Sequence, residues 1–173
     1  MAGEVKDYPG NSGSDPCITV AEERDIPALR AVCHGSFAEV SRYSWRGFFP
    51  PAQVDAFYDT WLENGVRGKH DDFCFQYLRA GKVAGFATIK AHEKREVYIG
   101  IIAVAPAFRG NGVGDALVRQ AFAYAAERKI PVVSSATQGR NSATQKLFSR
   151  HGMRMGEVQG WYYYEFSELS DQS

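Results

Sequence analysis

The residues with the clearest chemical potential run Val104-Ala105-Pro106-Ala107-Phe108-Arg109-Gly110-Asn111-Gly112-Val113-Gly114. Glycines at three alternate positions, Gly110, Gly112 and Gly114, free the backbone to curl, so that several N–H groups can converge on one point. The chain beyond them reads as a helix, whose first N–H groups lack internal partners and whose dipole is positive at that end. That combination suits an anion. A pyrophosphate would gain charge-assisted hydrogen bonds there, and Arg109 adds a full charge at the rim. Two other phosphate loops fit less well. A Walker loop ends in Gly-Lys-Ser/Thr, where this chain has Val113-Gly114-Asp115. A Rossmann fingerprint opens a repeated βαβ array, whereas this loop follows three strands that read as antiparallel.

A second group lies in the irregular stretch from Ser41 to Pro51. Arg42, Tyr43, Trp45 and Arg46 are the types that stack on a base or sugar and bind a diphosphate. Arg67, between Gly65 and Gly68, is a further ligand candidate, whereas Tyr58 and Trp61 read as the core face of an amphipathic helix. Asp71, Asp72, Glu93 and Glu96 could hold a cationic amine or act as a base through water, but runs of carboxylates are usually solvated, and no base is assigned. Tyr162, Tyr163 and Tyr164 could serve as proton donors, but a triple tyrosine on a strand reads as cross-strand packing rather than catalysis. Cys17, Cys33 and Cys74 form no pair with metal-ligand or redox spacing, so no metal is expected and a reducing compartment is.

These groups need elements to position them. Residues 1–16 lack an apolar period and carry Pro-Gly and Asp-Pro, which predicts a mobile arm ahead of a single domain over 17–173. A strand is expected over 18–20, then a helix capped by Asp25 with Leu29, Val32 or Cys33 and Phe37 on its apolar face. Pro50 and Pro51 precede a helix over 52–64. Strands at 73–78 and 82–91 flank a short connection containing Gly81, which predicts a hairpin. A strand at 97–104, the glycine-rich loop and a helix over 114–128 form one unit. A strand at 132–136, a helix capped by Asn141 and ending near Gly152, and a final strand at 160–166 complete the chain. The fold class is therefore α/β (α+β), with a mixed sheet.

The bulk numbers set limits. With 173 residues, 45% hydrophobic and 13% aromatic, the chain can build one full core. Twenty basic residues balance twenty acidic ones, so no global field attracts nucleic acid or an acidic membrane. The longest nearly apolar run, 99–108, is about half the length a membrane span requires. The opening residues contain no charged-then-apolar signal, and a cytoplasmic location is expected.

Arg109, Gly112 and Gly114, after a strand ending in an apolar-x-Pro segment, resemble the acetyl-CoA loop of the GNAT superfamily, Arg/Gln-x-x-Gly-x-Gly/Ala. The resemblance runs through residues 18–166 in element order. It implies a strongly twisted mixed sheet flanked by helices and splayed where the thioester enters. It also implies acetyl-CoA as co-substrate, bound by Arg109, Gly110, Asn111, Gly112, Val113 and Gly114, with backbone groups of Ala103 and Val104 on the pantetheine arm and one N–H at a bulge there polarising the thioester carbonyl. A second superfamily motif, Asn-x-x-Ala-x-x-x-Tyr-x-x-x-Gly-Phe, keeps its frame at Asn141, Gly152 and Met153, and adds Asn141 to the cofactor set. Its tyrosine, which in the family often protonates the leaving thiolate, is Phe148 here.

Three stretches are similar to the dTDP-4-amino-4,6-dideoxygalactose N-acetyltransferase family: Ser41-Arg42-Tyr43, residues 57–68 with their Tyr-x-x-Trp-x-x-Asn-x-x-Arg-Gly spacing, and Ala136-Thr137-Gln138-Gly139-Arg140-Asn141. The resemblance implies a small-molecule amine acceptor, a nucleotide-linked 4-amino sugar, with Arg42, Tyr43, Arg67, Thr137 and Gln138 on its substrate side. Homodimerisation, another amine acceptor, or an acyl-CoA sensor without turnover are left open by these residues.

Replacing Gly112 by valine should abolish acetyl-CoA binding, because a β-branched side chain restricts the loop dihedrals. Calorimetric affinity equal to wild type in a folded variant would overturn the assignment of the loop.

Overall fold

The structure is a computed structural model that describes residues 1–5, 8, 15–92 and 95–163, with the backbone but not the side chains of residues 45 and 46. Its frame is a six-stranded sheet in the order β1-β6-β5-β4-β3-β2. The strands are β1 (Ala2–Glu4), β2 (Ile18–Val20), β3 (Phe73–Arg79), β4 (Lys82–His92), β5 (Glu96–Val104) and β6 (Val132–Ser135). Only β5 and β6 run parallel among these pairs. Helices α1 (Ile26–Cys33) and α2 (Pro51–Val66) pack on one face around Leu29, Val54, Leu62, Phe86 and Ile101. On the other face α3 (Val113–Glu127) packs with Phe148 of α4 (Ser142–Arg150) around Ile89, Val97, Ile99, Leu117 and Phe122. The mixed α/β architecture expected from the sequence is the one observed.

The β3–β4 hairpin turns through Ala80 at φ 49° and Gly81 at φ 72°. Two consecutive left-handed residues match the right-handed twist of the strands and let Arg79 pair with Lys82. β4 is covered by helices on both faces, which is why it reads as a buried run from Ala84 to Ile89 rather than an alternation.

Pairing of β4 with β5 passes from Ala87↔Ile102 to Ile89↔Ile99, so Gly100 and Ile101 together oppose Thr88. This is a β-bulge in β5. The Ile101 N–H donates to the Thr88 hydroxyl at 3.0 Å instead of to a strand carbonyl. On the other side of β5 the parallel ladder with β6 ends at Ile99↔Ser135, and the Ser135 hydroxyl closes it on the Ile99 carbonyl at 2.8 Å. Beyond that pair the two strands separate.

The ends of the chain differ from the sequence expectation. Residues 2–4, expected within a mobile arm, form β1 against the outer edge of β6 and bridge to Arg154. The exposed edge of β6 offers unpaired N–H and C=O groups, which any three-residue segment can satisfy without an apolar period. Of the expected strand at 160–166, residues 160–163 are not strand and 164–166 lie outside the described residues. The edge of β6 it would have needed is filled by β1. Asp25 stands at the N-cap of α1 without bonding its turn, because its carboxylate accepts from the Glu22 N–H at 2.9 Å and the Gln76 amide at 2.7 Å. No helix among the described residues is long and apolar enough to cross a membrane.

Gly100 has no room for a side chain: a Cβ there would lie 2.5 Å from Asp71 Oδ2 and 2.7 Å from Thr88 Oγ1. Gly100→Ala should therefore cost about 1–3 kcal/mol of stability by overpacking. Urea unfolding with an unchanged midpoint would show that the Asp71 carboxylate yields freely.

Candidate active site

The glycine-rich loop follows β5 through a turn at Pro106–Phe108. Gly110 and Gly112 hold φ at 74° and 78°, and no atom lies within 4 Å of a Cβ built on either. Their requirement is conformational rather than steric: a left-handed backbone that exposes consecutive amides. The first bond into α3 is Ala116 N–H to the Gly112 carbonyl at 2.9 Å, and the N–H groups of residues 110–115 have no backbone acceptor among the described residues. Val113 anchors the turn with a fully buried side chain while its N–H remains available. Gly114 lets α4 approach, since a Cβ there would touch Leu147 at 3.2 Å. Arg109 donates through Nε to the Val104 carbonyl at 3.2 Å, which ties the guanidinium to the rim, and Asn111 donates to the Arg109 carbonyl at 3.1 Å.

That Val104 carbonyl belongs to the open edge of β5. N–H groups alternate across a strand, and those of Ile101 and Ala105 go to Thr88 and Ala84 on the β4 side. The amides of Ile102 and Val104 therefore face the gap left by β6. The Ala103 carbonyl lies toward β4, 2.8 Å from a Cβ built on Gly85. Of the two residues expected on the pantetheine arm, Val104 is on the open edge and Ala103 is not, and Ile102 stands in its place. The bulge also lies further back than expected, at Gly100–Ile101. An extended chain with amides of its own could add along this edge as a strand would, with its phosphates at the α3 terminus.

The gap opens into a cavity of about 160 Å³ between α2, β5, the segment after β6 and α4. Arg42, Tyr43, Thr137, Gln138 and Asn141, all singled out from sequence, line it together with Gly100, Ile102, Tyr98 and Phe148. Asn141 caps α4, accepting the Thr144 N–H at 3.1 Å. Arg42 donates to the Tyr43 hydroxyl at 2.6 Å, and its guanidinium also lies 3.8 Å from the centroid of the Trp161 ring. Arg140 donates to the Ser41 carbonyl at 2.8 Å, so a second cation is anchored beside Arg42. Arg67 is elsewhere: it pairs with Glu63 at 2.8 Å and Glu23 at 3.4 Å and does not line the cavity.

Several expectations about polar groups change. Asp71, read as one of a solvated run, is 1% exposed and accepts the Trp61 indole N–H at 2.8 Å, directly behind Gly100. Asp72 accepts the Ala91 N–H and Glu96 the Ser134 hydroxyl, while residue 93 lies outside the described residues. Tyr162 is 98% exposed, Tyr163 stacks on Phe48, and Tyr164 is outside the described residues. Among the described residues, none of these lines the cavity. The phenol that sequence reading missed is Tyr98. Burial raises its pKa above the ordinary value, against a hydrogen bond from the backbone of Ala136 that lowers it, so it stays protonated at neutral pH. Tyr98 and Gly100 share a face by period two, a signal that was available in the strand itself.

Phe148 is 0% exposed to solvent, yet its ring forms part of the cavity wall. Phe148→Tyr should leave acetyl-CoA affinity alone and hold or raise turnover, up to about tenfold for a thiol that already leaves readily. A folded variant that loses most of its activity would show that the ring has no route to the sulfur.

Residues 37–153 match the Acetyltransferase (GNAT) family. The chain is 34% identical over 166 residues to a dTDP-fucosamine acetyltransferase of Escherichia coli O6:H1, which covers 94% of this chain and 70% of that protein. It is 30% identical over 132 residues to an uncharacterized N-acetyltransferase of Methanocaldococcus jannaschii, covering 72% of this chain and 58% of that one. The crystal structure of a PaiA N-acetyltransferase from Thermoplasma acidophilum in complex with coenzyme A superposes with a TM-score of 0.67 at 14% identity. It covers 83% of this chain and 93% of that one, a likeness of fold. The match takes in the loop, the splayed strands and α4, and the similarity to the E. coli relative extends over nearly the whole chain: this protein is a member of the GNAT acetyltransferase family.

Proposed function

We propose that the protein transfers the acetyl group of acetyl-CoA to the amine of a nucleotide-linked 4-amino-dideoxy sugar. The observation that carries this reading is the polarity of the cavity. Arg42 lines one side, bonded to the Tyr43 hydroxyl, with Arg140 held at the carbonyl of the preceding residue, Ser41, and the buried Asp71 carboxylate lies behind the Gly100 wall on the other. A molecule with a diphosphate at one end and an amine at the other is complementary to that arrangement. The similarity to a dTDP-fucosamine acetyltransferase supports the same substrate class.

In this reading the pyrophosphate of acetyl-CoA takes the N–H groups of residues 110–115, with Arg109 at its edge. The pantetheine arm pairs with the backbone of Ile102 and Val104, which brings the thioester to the splay. Thr137, Gln138 and Tyr43 contact the sugar, and Asn141 holds the α4 wall in position. The neutral amine attacks the thioester carbonyl carbon, the tetrahedral intermediate collapses with departure of the thiolate, and the surplus proton on nitrogen passes to the thiolate or to solvent, leaving the amide and the free thiol. A thiol with a pKa of about 8.5 leaves tolerably without a dedicated acid, in keeping with phenylalanine at position 148. A sugar amine flanked by electron-withdrawing oxygens is less basic than lysine, so part of it is neutral near pH 7 without a strong base.

Thymidine diphosphate should inhibit competitively against the acceptor and not against acetyl-CoA, in an assay of free-thiol release over TDP- and UDP-linked amino sugars, aminoglycosides, polyamines and lysine peptides. If it neither binds nor inhibits at millimolar concentration while a polyamine or peptide is acetylated, the acceptor assignment is wrong. Coenzyme A binding without turnover of any amine would mark the protein as a sensor.

A further inference from the structure

Beside the acceptor cavity lies a second groove of about 230 Å³, walled by Tyr43, Phe49, Val54 and Phe57, with Gln53 at its edge. Tyr43 is common to both spaces. Its ring meets Phe57 at 4.9 Å and Phe49 at 5.7 Å, edge to face in each case. Phe57 also meets Tyr58 at 5.2 Å and Trp61 at 5.8 Å edge to face, and the Arg42 guanidinium lies 4.7 Å over the Tyr43 ring, so the exposed sides of Phe49 and Phe57 are what this corner leaves for another planar group. Phe49 and Phe57, both against Tyr43, are 39% and 41% exposed. Gln53 supplies a carboxamide, which both donates and accepts, and among the described residues it makes no side-chain hydrogen bond.

We propose that this groove seats the pyrimidine base of the acceptor, stacked on Phe57 and Phe49 with its polar edge toward Gln53. The proposal rests on the nucleotide-sugar reading and extends it to the nucleoside end. The order of groups along the surface matches the order of groups in such a substrate. The amine lies in the cavity beside Gly100, the diphosphate at Arg42 and Arg140, and the base beyond Tyr43. The Arg42 guanidinium bonds the Tyr43 hydroxyl at the boundary between the two spaces, where a diphosphate linking sugar to nucleoside must pass. An apolar slot with exposed rings and one amide is chemistry that recognises a base, whereas a polyamine would leave the rings wet.

The test uses the full chain, wild type and as Phe57→Ala, Phe49→Ala and Phe57→Tyr, with three probes: a TDP-linked 4-amino sugar, the same amino sugar as its 1-phosphate, and TDP alone. Loss of a stacking ring should raise KM for the TDP-sugar and Kd for TDP on the order of tenfold or more, with kcat little changed. Phe57→Tyr should stay near wild type, and KM for the 1-phosphate and affinity for acetyl-CoA should not move. Retained acetyl-CoA affinity shows that each variant is folded, and the partly exposed position of both rings leaves at least one of the two alanine variants usable. If every variant binds TDP as wild type does, the base seat is overturned while the nucleotide-sugar reading stands. If Phe57→Ala instead dissociates a dimer with TDP affinity intact, the groove is a contact between copies and the proposal also falls. If wild type ignores TDP yet acetylates the 1-phosphate, the nucleotide reading itself fails and takes the base seat with it.

Discussion

One extra residue in β5 governs the rest of the molecule. Between Ile99 and Ile102 the strand carries Gly100 and Ile101 against the single Thr88 of β4, and the bulge bends and twists β5 at the point where its parallel ladder with β6 stops. A regular β5 would continue to pair with β6, and the amides of Ile102 and Val104 would be consumed by that ladder. With the bulge, those amides face a gap, and the gap is where a thioester can lie flat against backbone. Thr88 makes the distortion tolerable by accepting the Ile101 N–H that has lost its strand partner. Gly100 is the second condition, because the space its side chain would take holds the Asp71 carboxylate.

The glycine-rich loop depends on the same strand. β5 must leave the sheet at Val104 so that the turn at Pro106–Phe108 can aim α3 back along it, and Arg109 marks the geometry by bonding the Val104 carbonyl. The amides of residues 110–115 and the amides of Ile102 and Val104 then lie along one path, an anion site followed by a strand edge. Two faces of the sheet are committed to cores, one with α3 and one with α1 and α2, so the splay at the end of β6 is where a substrate can reach the sheet from solvent.

How much of this was legible depended on whether a residue's role is set by its neighbours in sequence. The loop was, because glycine spacing, the preceding strand and the following helix all lie within residues 97–128. The cap at Asn141 and the hairpin through Ala80 and Gly81 were legible for the same reason. The bulge was expected two to three residues too late, since a one-residue insertion against a partner strand leaves no local trace. Arg67 read as a free ligand because its partner Glu23 is 44 residues away, and its helical pairing with Glu63 four residues earlier was not taken into account. β1 was invisible because three residues held by backbone bonds need no side-chain pattern. Arg140 was inside a quoted stretch, but only its contact with Ser41, 99 residues distant, reveals it as a companion of Arg42.

Asp71 brings the constraints together. A carboxylate that is 1% exposed and bonded by one neutral donor, Trp61, is costly to bury, and no cation pairs with it among the described residues. Its neighbour Tyr98 feels it, as one of the lesser causes that raise the phenol's pKa after burial. A carboxylate in that position can act on a bound substrate through its field, since the Gly100 wall keeps it from direct contact. An anionic field there would attract a protonated amine approaching Gly100 and repel a second anion, so it would order the proposed substrate with its amine inward and its phosphates toward Arg42. The same field would oppose deprotonation of that amine, which favours acceptors of low intrinsic basicity over lysine-like ones. If the acceptor is a nucleotide-linked amino sugar as proposed, the charge that orients it would also favour an amine of low basicity over an alkyl amine.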